Sequence, residues 1–241
     1  MTNTPTANDW PTQVLLPGQA AAPEGPVDMV MMYVMHHAFR RDLAAFAAAA
    51  PATPVEDRDA WRALADRWEL FATALHHHHT GEDTGLWPLL MSRADAAGRE
   101  LLEAMEAEHG EIDPILEACA AGFARLAERP DADARAALVV RLVAGRESLA
   151  RHLAHEETDA ITLIQQVMTD AEWRQVENDY FKSQPIPPKL ILKMLPWMFD
   201  KLPSTVREQR LAEAPQLYRV VYRLFRSSYQ RTERRTFRYA A

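Results

Sequence analysis

The stretch His76-His77-His78-His79-Thr80-Gly81-Glu82-Asp83 places a histidine and a glutamate four residues apart, at His78 and Glu82. Residues with this spacing lie on one face of a helix, one turn apart. The same face continues in both directions with apolar side chains, at Phe71, Leu75, Leu86 and Leu89. This pattern predicts that the face is buried. A buried imidazole and carboxylate are costly unless something pairs with them, and a metal ion binds both groups.

All nine histidines fall into four clusters along the chain, at positions 36–37, 76–79, 109, and 152 with 155. Each cluster lies in a separate segment with helical periodicity. One inward histidine on each of four helices is the arrangement that a metal site in the core of a helix bundle requires. The short connections between the segments contain proline or glycine, which favours antiparallel neighbours. The sequence therefore predicts an all-α fold, an antiparallel up-down four-helix bundle with a helical C-terminal extension.

Helical spacing adds further donors to the inward positions of the four helices. The predicted metal ligands are His36, His78, Glu82, His109, Asp113, His152 and Glu156. Two interpretations of the fourth helix stay open, because Glu157 directly follows Glu156. Seven donors and water suit two ions, since one octahedral ion takes six donors. A mixed imidazole and carboxylate set favours iron or manganese over a closed structural zinc site, although zinc remains an alternative.

The sequence also predicts roles for the residues next to these ligands. We expect His79 and Asp83 to support the ligands through hydrogen bonds, and His76 and His77 either to lie near solvent or to support the ligands as well. Two glycines next to Glu82, Gly81 and Gly85, leave room for a helical bulge or for the close approach of another element.

Composition and charge exclude several classes of protein. The single cysteine, Cys119, rules out an internal disulfide and a thiolate metal cluster, and it suits the cytoplasm. The N-terminal segment lacks the basic start of a signal peptide, and the apolar runs are too short to span a membrane. Residues 201–241 have a net charge of +7 against −14 for the rest of the chain. Because no nucleic-acid-reading motif accompanies these arginines, we expect the tail to pack on its own acidic domain.

Proline content and the end of the histidine pattern divide the chain into three parts. Residues 1–26 are predicted to form an irregular arm, residues 27–168 the bundle, and residues 169–241 a basic helical extension. Apolar residues of the extension need a surface to cover, either the flank of the bundle or a second copy of the chain. A homodimer through the extension is therefore one expectation, and no nucleic-acid or membrane partner is expected.

The ordered pattern resembles the hemerythrin-like, or HHE cation-binding, family. The matching residues are His36, then His78 with Glu82, then His109 with Asp113, then His152 with Glu156. The resemblance implies a non-haem di-iron centre in which Glu82 and an acid of the fourth helix bridge the ions. Oxygen-carrying members have a second histidine where this chain has Asp113, which argues against reversible oxygen carriage. Asp113 is open to three roles: ligand, bridge or acceptor for a ligand.

The expected function is that of a cytoplasmic di-iron protein that binds, senses or reduces oxygen, nitric oxide or hydrogen peroxide. No Ser/His/Asp or Cys/His arrangement and no phosphate-binding glycine loop supports another chemistry, so no catalytic residue is predicted beside the ligands. The alternative is a non-enzymatic iron-binding regulatory module that signals through its C-terminal helices. The sequence leaves turnover, sensing and iron handling open.

Overall fold

The structure, a computed structural model, describes residues 10–240. Every regular element in this range is a helix, which confirms the all-α class. The helices are α1 (Val30–Ala52), α2 (Arg58–Gly81), α3 (Trp87–Met91), α4 (Ala96–Glu128), α5 (Ala132–His155), α6 (Ile161–Val167), α7 (Asp170–Val176), α8 (Pro188–Met198), α9 (Ser204–Glu213) and α10 (Gln216–Thr236). Three π-helical segments cover Glu82–Leu86, Glu156–Ala160 and Glu177–Phe181. Residues 10–29 contain no helix, and the rest of the predicted arm lies outside the described residues.

Acidic side chains begin two of the long helices. The carboxylate of Asp28 accepts a hydrogen bond of 3.1 Å from the backbone N–H of Val30 at the start of α1. That of Asp131 accepts one of 3.0 Å from Ala134 at the start of α5. Such caps satisfy backbone donors that have no partner within the helix. Asp28 and Asp131 therefore stabilise the starts of α1 and α5.

The chain forms two compact units. The first contains the described residues up to His37, together with Leu75–Gly110 and Ala150–Pro185. It brings together the start of α1, the end of α2, the first half of α4 and the end of α5. The second contains Ala38–Ala74, Glu111–Leu149 and Ile186–Ala241. The up-down order of the four long helices stays a prediction.

An aromatic cluster forms the core of the second unit. The ring of Phe46 lies 5.0 Å from that of Trp68, 5.3 Å from that of Phe123 and 5.3 Å from that of Phe237. Offset and edge-on rings at these distances attract one another in addition to burying apolar area. Because Phe237 follows α10, the end of the C-terminal extension belongs to this core.

A buried ionic cluster lies in the same unit. Asp42 accepts hydrogen bonds from Arg67 Nη2 at 2.8 Å, Arg41 Nη2 at 2.8 Å and Trp197 Nε1 at 2.9 Å. Arg67 Nε donates a further hydrogen bond of 3.1 Å to Glu233 of α10. The cluster therefore joins two of the long helices to the extension.

The C-terminal extension buries only part of its apolar surface. Tyr222 and Tyr229 of α10 are buried, whereas Leu217 and Leu224 are 67% and 69% exposed. The homodimer expected from the sequence would cover these leucines, and it stays a prediction. Within residues 10–240, no helix combines the length and the apolar character that a bilayer crossing requires.

Candidate metal centre

Three buried donors meet in the first unit where α1, α2 and the segment after α5 come together. They are His36, His78 and Glu156, whose ligand atoms all lie within 4.8 Å of one another. His36 Nε2 lies 3.2 Å from His78 Nε2 and 3.2 Å from Glu156 Oε2. This arrangement is compact enough to hold one cation with bonds near 2 Å from each donor.

A second group of three buried histidines comes from α2, α4 and α5. His79, His109 and His152 also place ligand atoms within 4.8 Å of one another. The Nε2 atoms of His109 and His152 are 3.2 Å apart. The rings of His79 and His109 are stacked, with centroids 3.9 Å apart. This group offers three imidazole nitrogens to a second cation.

The carboxylate of Glu82 lies between the two groups. Its Oε1 is 3.1 Å from His78 Nε2, in the first group, and its Oε2 is 3.6 Å from His109 Nε2, in the second. The side chain is fully buried. Each oxygen of Glu82 is therefore directed to a different group, which is the geometry of a bridging carboxylate.

Glu156 is also close to both groups. Its Oε2 is 3.2 Å from His36 Nε2 and 3.9 Å from His152 Nε2. All four carboxylate oxygens of Glu82 and Glu156 are buried, and none accepts a hydrogen bond of good geometry. Leaving buried carboxylates in this condition is expensive, and cations between the groups would compensate them.

Three carboxylates contact the Nδ1 atoms on the far side of the imidazoles. Glu157 lies 2.9 Å from Nδ1 of His36, Asp83 lies 2.8 Å from Nδ1 of His109, and Glu108 lies 2.8 Å from Nδ1 of His152. A carboxylate that accepts a hydrogen bond from Nδ1–H keeps the proton on that nitrogen and leaves the Nε2 lone pair for a metal ion. Facing Nε2 lone pairs at 3.2 Å repel each other unless a cation or a proton lies between them. The donor set therefore fits metal ions.

The pKa values of the ionisable side chains in this site are shifted in different directions. Burial alone lowers the pKa of His36, but the carboxylates of Glu156 and Glu157 outweigh it and raise that pKa to about 9. Burial lowers the pKa of His78 and of His152. Burial, and then repulsion from Glu156, raises the pKa of Glu82 well above its ordinary value. These directions describe a cluster that keeps a proton on His36 when it holds no cation.

The hemerythrin HHE cation-binding domain profile matches residues 29–164, which is more than half of the chain. The chain belongs to the hemerythrin HHE cation-binding domain family. The matched range contains both groups of donors, and it begins just before α1 and ends within α6. Neither the curated proteins nor the solved structures include a significant match to this hemerythrin-like chain.

The hemerythrin-like site contains six of the seven residues predicted as ligands and one that was expected in another role. His36, His78, Glu82, His109, His152 and Glu156 all line it. Asp113 is exposed on α4 and lies in the second unit, outside both groups. The buried face of α4 continues from His109 to Ile112, a step of three residues, so Asp113 is turned away from it. We assign no ligand role to Asp113.

His79 was expected from the sequence only as a support for the ligands. It is buried beside His109 and His152, whereas its neighbour His78 belongs to the other group. Consecutive helical residues point about 100° apart. Side chains about 100° apart on α2 can therefore reach two neighbouring groups of donors, and His78 and His79 each contribute to one of them. In the sequence, the signal for this arrangement is a pair of adjacent histidines followed within one helical turn by a glutamate, here His78, His79 and Glu82.

Two π-helical segments of the hemerythrin-like domain begin at Glu82 and Glu156, the glutamates that lie close to both groups of donors. One covers Glu82–Leu86 and the other Glu156–Ala160, and both start with a glutamate, a second acid and a threonine. A π-turn carries an extra residue and is frequent at functional sites. The two glycines beside Glu82 predicted a bulge there. No glycine lies in the segment Glu156–Ala160, so the second π-helical segment was not expected from the sequence.

The glycines beside Glu82 also admit a close approach of the C-terminal extension. A Cβ atom on Gly81 would lie 2.8 Å from the ring of Phe181, and one on Gly85 would lie 2.2 Å from the ring of Tyr180. Real Cβ contacts are not this short, so a larger residue at either position would force the neighbouring ring to move. The expected close approach of another element is confirmed, and the π-helical segment Glu177–Phe181 supplies it.

Replacing Gly85 by alanine should destabilise the protein by about 1–3 kcal/mol, the usual cost of overpacking a core. The new methyl group would overlap the ring of Tyr180. Gly110→Ala is the matched control, because nothing lies within 4 Å of its added Cβ. There the gain in helix propensity should stabilise by about 0.5–1 kcal/mol. Urea denaturation of the two variants measures both effects, and equal shifts would contradict the packing described here.

Cation binding should release a proton from His36 at pH 7. The pKa of His36 is raised to about 9 in the metal-free protein, so the imidazole is protonated at pH 7 and must lose its proton to bind a cation. The apparent affinity for a divalent cation should therefore rise with pH and level off above about 9. Calorimetric titration in buffers of different ionisation enthalpy measures the released proton. An affinity that is constant between pH 7 and 9 would contradict the assignment.

Proposed function

We propose that this hemerythrin-like domain is a non-haem di-iron protein that binds dioxygen, nitric oxide or hydrogen peroxide at its pair of cations. One observation carries the proposal. Two groups of buried donors lie side by side, and two carboxylates, Glu82 and Glu156, have oxygens close to both groups. A single-ion site would not use seven inward donors in this arrangement.

The chemistry of the donors favours iron. They are five imidazoles and two carboxylates, and the only cysteine, Cys119, is buried in the second unit. Such a mixed set without thiolate suits iron or manganese better than structural zinc, which takes four-coordinate sites. His79 supplies a fifth imidazole, so the argument from Asp113 against oxygen binding loses its basis. Dioxygen therefore stands beside nitric oxide and peroxide as a ligand.

The protein's own residues do three things at this site. The imidazoles and carboxylates hold the cations in a space from which bulk water is excluded, since all seven donors are buried. The three carboxylates that contact Nδ1 atoms hold their imidazoles in the tautomer whose Nε2 lone pair can bind a cation. Iron, when bound, would supply the electrons that a small oxygen or nitrogen ligand takes up.

A line of hydrogen-bonding groups leads from the site to the surface. Glu108 contacts Nδ1 of His152 at 2.8 Å and Nδ1 of His155 at 2.9 Å. His155 is one-third exposed, and its Nε2 lies 3.6 Å from Asp159. These groups can hold or pass a proton between solvent and the ligand His152, which reduction of a small oxygen compound requires.

Metal analysis of protein prepared without chelator tests the proposal. About two iron ions per chain are expected, together with an absorption spectrum in air that changes on addition of azide or hydrogen peroxide. Manganese or zinc at the same stoichiometry would overturn the choice of iron but keep the pair of cations. One ion or none at saturation would overturn the di-metal site itself.

A second function, metal-dependent regulation without turnover, has one observation in its favour. The ring of Phe181 lies 6.1 Å from that of His78 and packs on Gly81. The C-terminal extension therefore contacts one of the proposed metal ligands directly. Hydrogen exchange of residues 177–185 should slow on iron loading if this contact reports the metal state. Turnover of peroxide or nitric oxide without any such change would favour the enzyme.

A further inference from the structure

Glu157 joins the non-helical arm to one of the metal ligands. Its Oε1 lies 2.9 Å from Nδ1 of His36, and its Oε2 accepts a hydrogen bond of 2.7 Å from the backbone N–H of Ala20. The side chain of Glu157 is fully buried. One carboxylate therefore uses both oxygens, one to orient a ligand and the other to bind the arm.

The arm is also fastened independently of this contact. The backbone N–H of Val27 donates to Gln165 Oε1, and the carbonyl of Val27 accepts from Gln165 Nε2, both at 2.9 Å. Gly25 fits closely against the side chain of the same glutamine. Leu16 and Val27 are buried. Loss of the Ala20 hydrogen bond alone would therefore leave residues 16–27 in place.

Two histidines of the second group are supported in another way. His109 and His152 are supported by Asp83 and Glu108, which belong to the π-helical segment after α2 and to α4. Both supports therefore belong to helical segments. The first group relies, through Glu157, on a backbone amide of a segment without helical hydrogen bonds. The two cation sites are thus supported in different ways.

We propose that residues 16–27 act as a strap that retains the cation held by His36, His78 and Glu156. The amide of Ala20 fixes the carboxylate of Glu157, and Glu157 keeps His36 in the tautomer and orientation for ligation. Glu157 is a positioning residue, and the strap makes this cation the one whose retention depends on the arm. The inference rests on the proposed function in assuming that both groups bind cations.

Substituting glutamine for Glu157 tests the link because an amide cannot serve both partners. If its oxygen faces His36, its NH2 group meets the amide N–H of Ala20, and two donors oppose each other. If its NH2 group faces His36, Nδ1 must accept and the proton moves to Nε2, the atom needed for the metal. Either orientation breaks one half of the connection.

The experiment follows metal loss from the full-length, iron-loaded protein after addition of excess chelator. Glu157→Gln and Ala20→Pro should each release one of the two equivalents about 10- to 100-fold faster, the usual effect of losing a support to a metal ligand. Ala20→Gly is the matched control and should behave like the wild type, because it keeps the amide hydrogen that proline lacks. Adding Ala20→Pro to Glu157→Gln should produce no further acceleration, since both break the same link.

Glu108→Gln provides the comparison for the other cation. Combined with Glu157→Gln, it should accelerate loss of both equivalents, with additive effects. Equal acceleration of both equivalents by Glu157→Gln alone would overturn the strap, as would equal rates for Ala20→Pro and Ala20→Gly. A wild-type protein that holds one ion overturns the di-metal proposal instead. The strap is then judged by whether Ala20→Pro loses that ion faster than Ala20→Gly.

Discussion

Replacing Glu82 by alanine should reduce the bound metal from about two ions per chain to less than one, the largest loss expected for any single ligand. Glu82 places one oxygen 3.1 Å from His78 Nε2 and the other 3.6 Å from His109 Nε2. Its removal takes a donor from both groups at once. A histidine such as His78 serves one group, so His78→Ala should retain more metal than Glu82→Ala.

The matched control is Asp113→Ala, which removes a carboxylate that the sequence pattern also marked as a ligand. Asp113 is exposed and lies outside both groups, so this variant should keep the wild-type metal content. Burial and the Glu156 charge raise the pKa of Glu82, which means that its ionised form costs folding free energy in the metal-free state. Metal analysis should therefore show the loss while the metal-free Glu82→Ala protein stays folded. Equal metal loss in Asp113→Ala would contradict the placement of the site.

Helical periodicity made most of the site predictable. His78 with Glu82, and His152 with Glu156, share a helical face by spacing alone, and a buried face that carries such pairs needs a charge to compensate them. The all-α class followed from the same pattern. Both conclusions depend only on which side chains share a face, and the sequence determines that directly.

The remaining ligands depend on how each helix is rotated toward its neighbours, which spacing alone does not determine. On α4 the inward step after His109 is to Ile112 and not to Asp113. On α2 the adjacent residues His78 and His79 contribute to different groups. Packing of whole helices fixes these rotations, and the π-helical segments alter them locally.

The supports of the ligands were still harder to anticipate. Asp83 was expected as a support from its place beside Glu82, and it contacts His109. Glu108 was not singled out, although it contacts His152. The hydrogen bond from Ala20 to Glu157 joins residues far apart in sequence, and no local pattern marks a backbone amide as a partner. Such contacts follow from the tertiary fold alone.

Replacing Asp42 by alanine should destabilise the protein by about 3–5 kcal/mol, the cost of leaving a buried charge without its partner. Asp42 is 1% exposed and accepts from Arg67 at 2.8 Å, from Arg41 at 2.8 Å and from Trp197 at 2.9 Å. Without it, the buried guanidinium of Arg67 loses one carboxylate partner and keeps another, Glu233. Urea denaturation followed by circular dichroism measures the change in the free energy of unfolding.

An exposed pair of the same length is the control for burial. Asp59 lies 2.8 Å from Arg62, with the two side chains 69% and 52% exposed, so Asp59→Ala should cost no more than about 1 kcal/mol. The double variant Asp42→Ala with Arg67→Met should recover only part of the loss, since it removes the buried guanidinium of Arg67 but leaves Arg41 without Asp42 and Glu233 without Arg67. If Asp42→Ala costs as little as Asp59→Ala, the ionic cluster does not hold the extension to the long helices. If the double variant is no better than Asp42→Ala alone, the loss comes from the contacts of Asp42 with Arg41 and Trp197 and not from the buried guanidinium of Arg67.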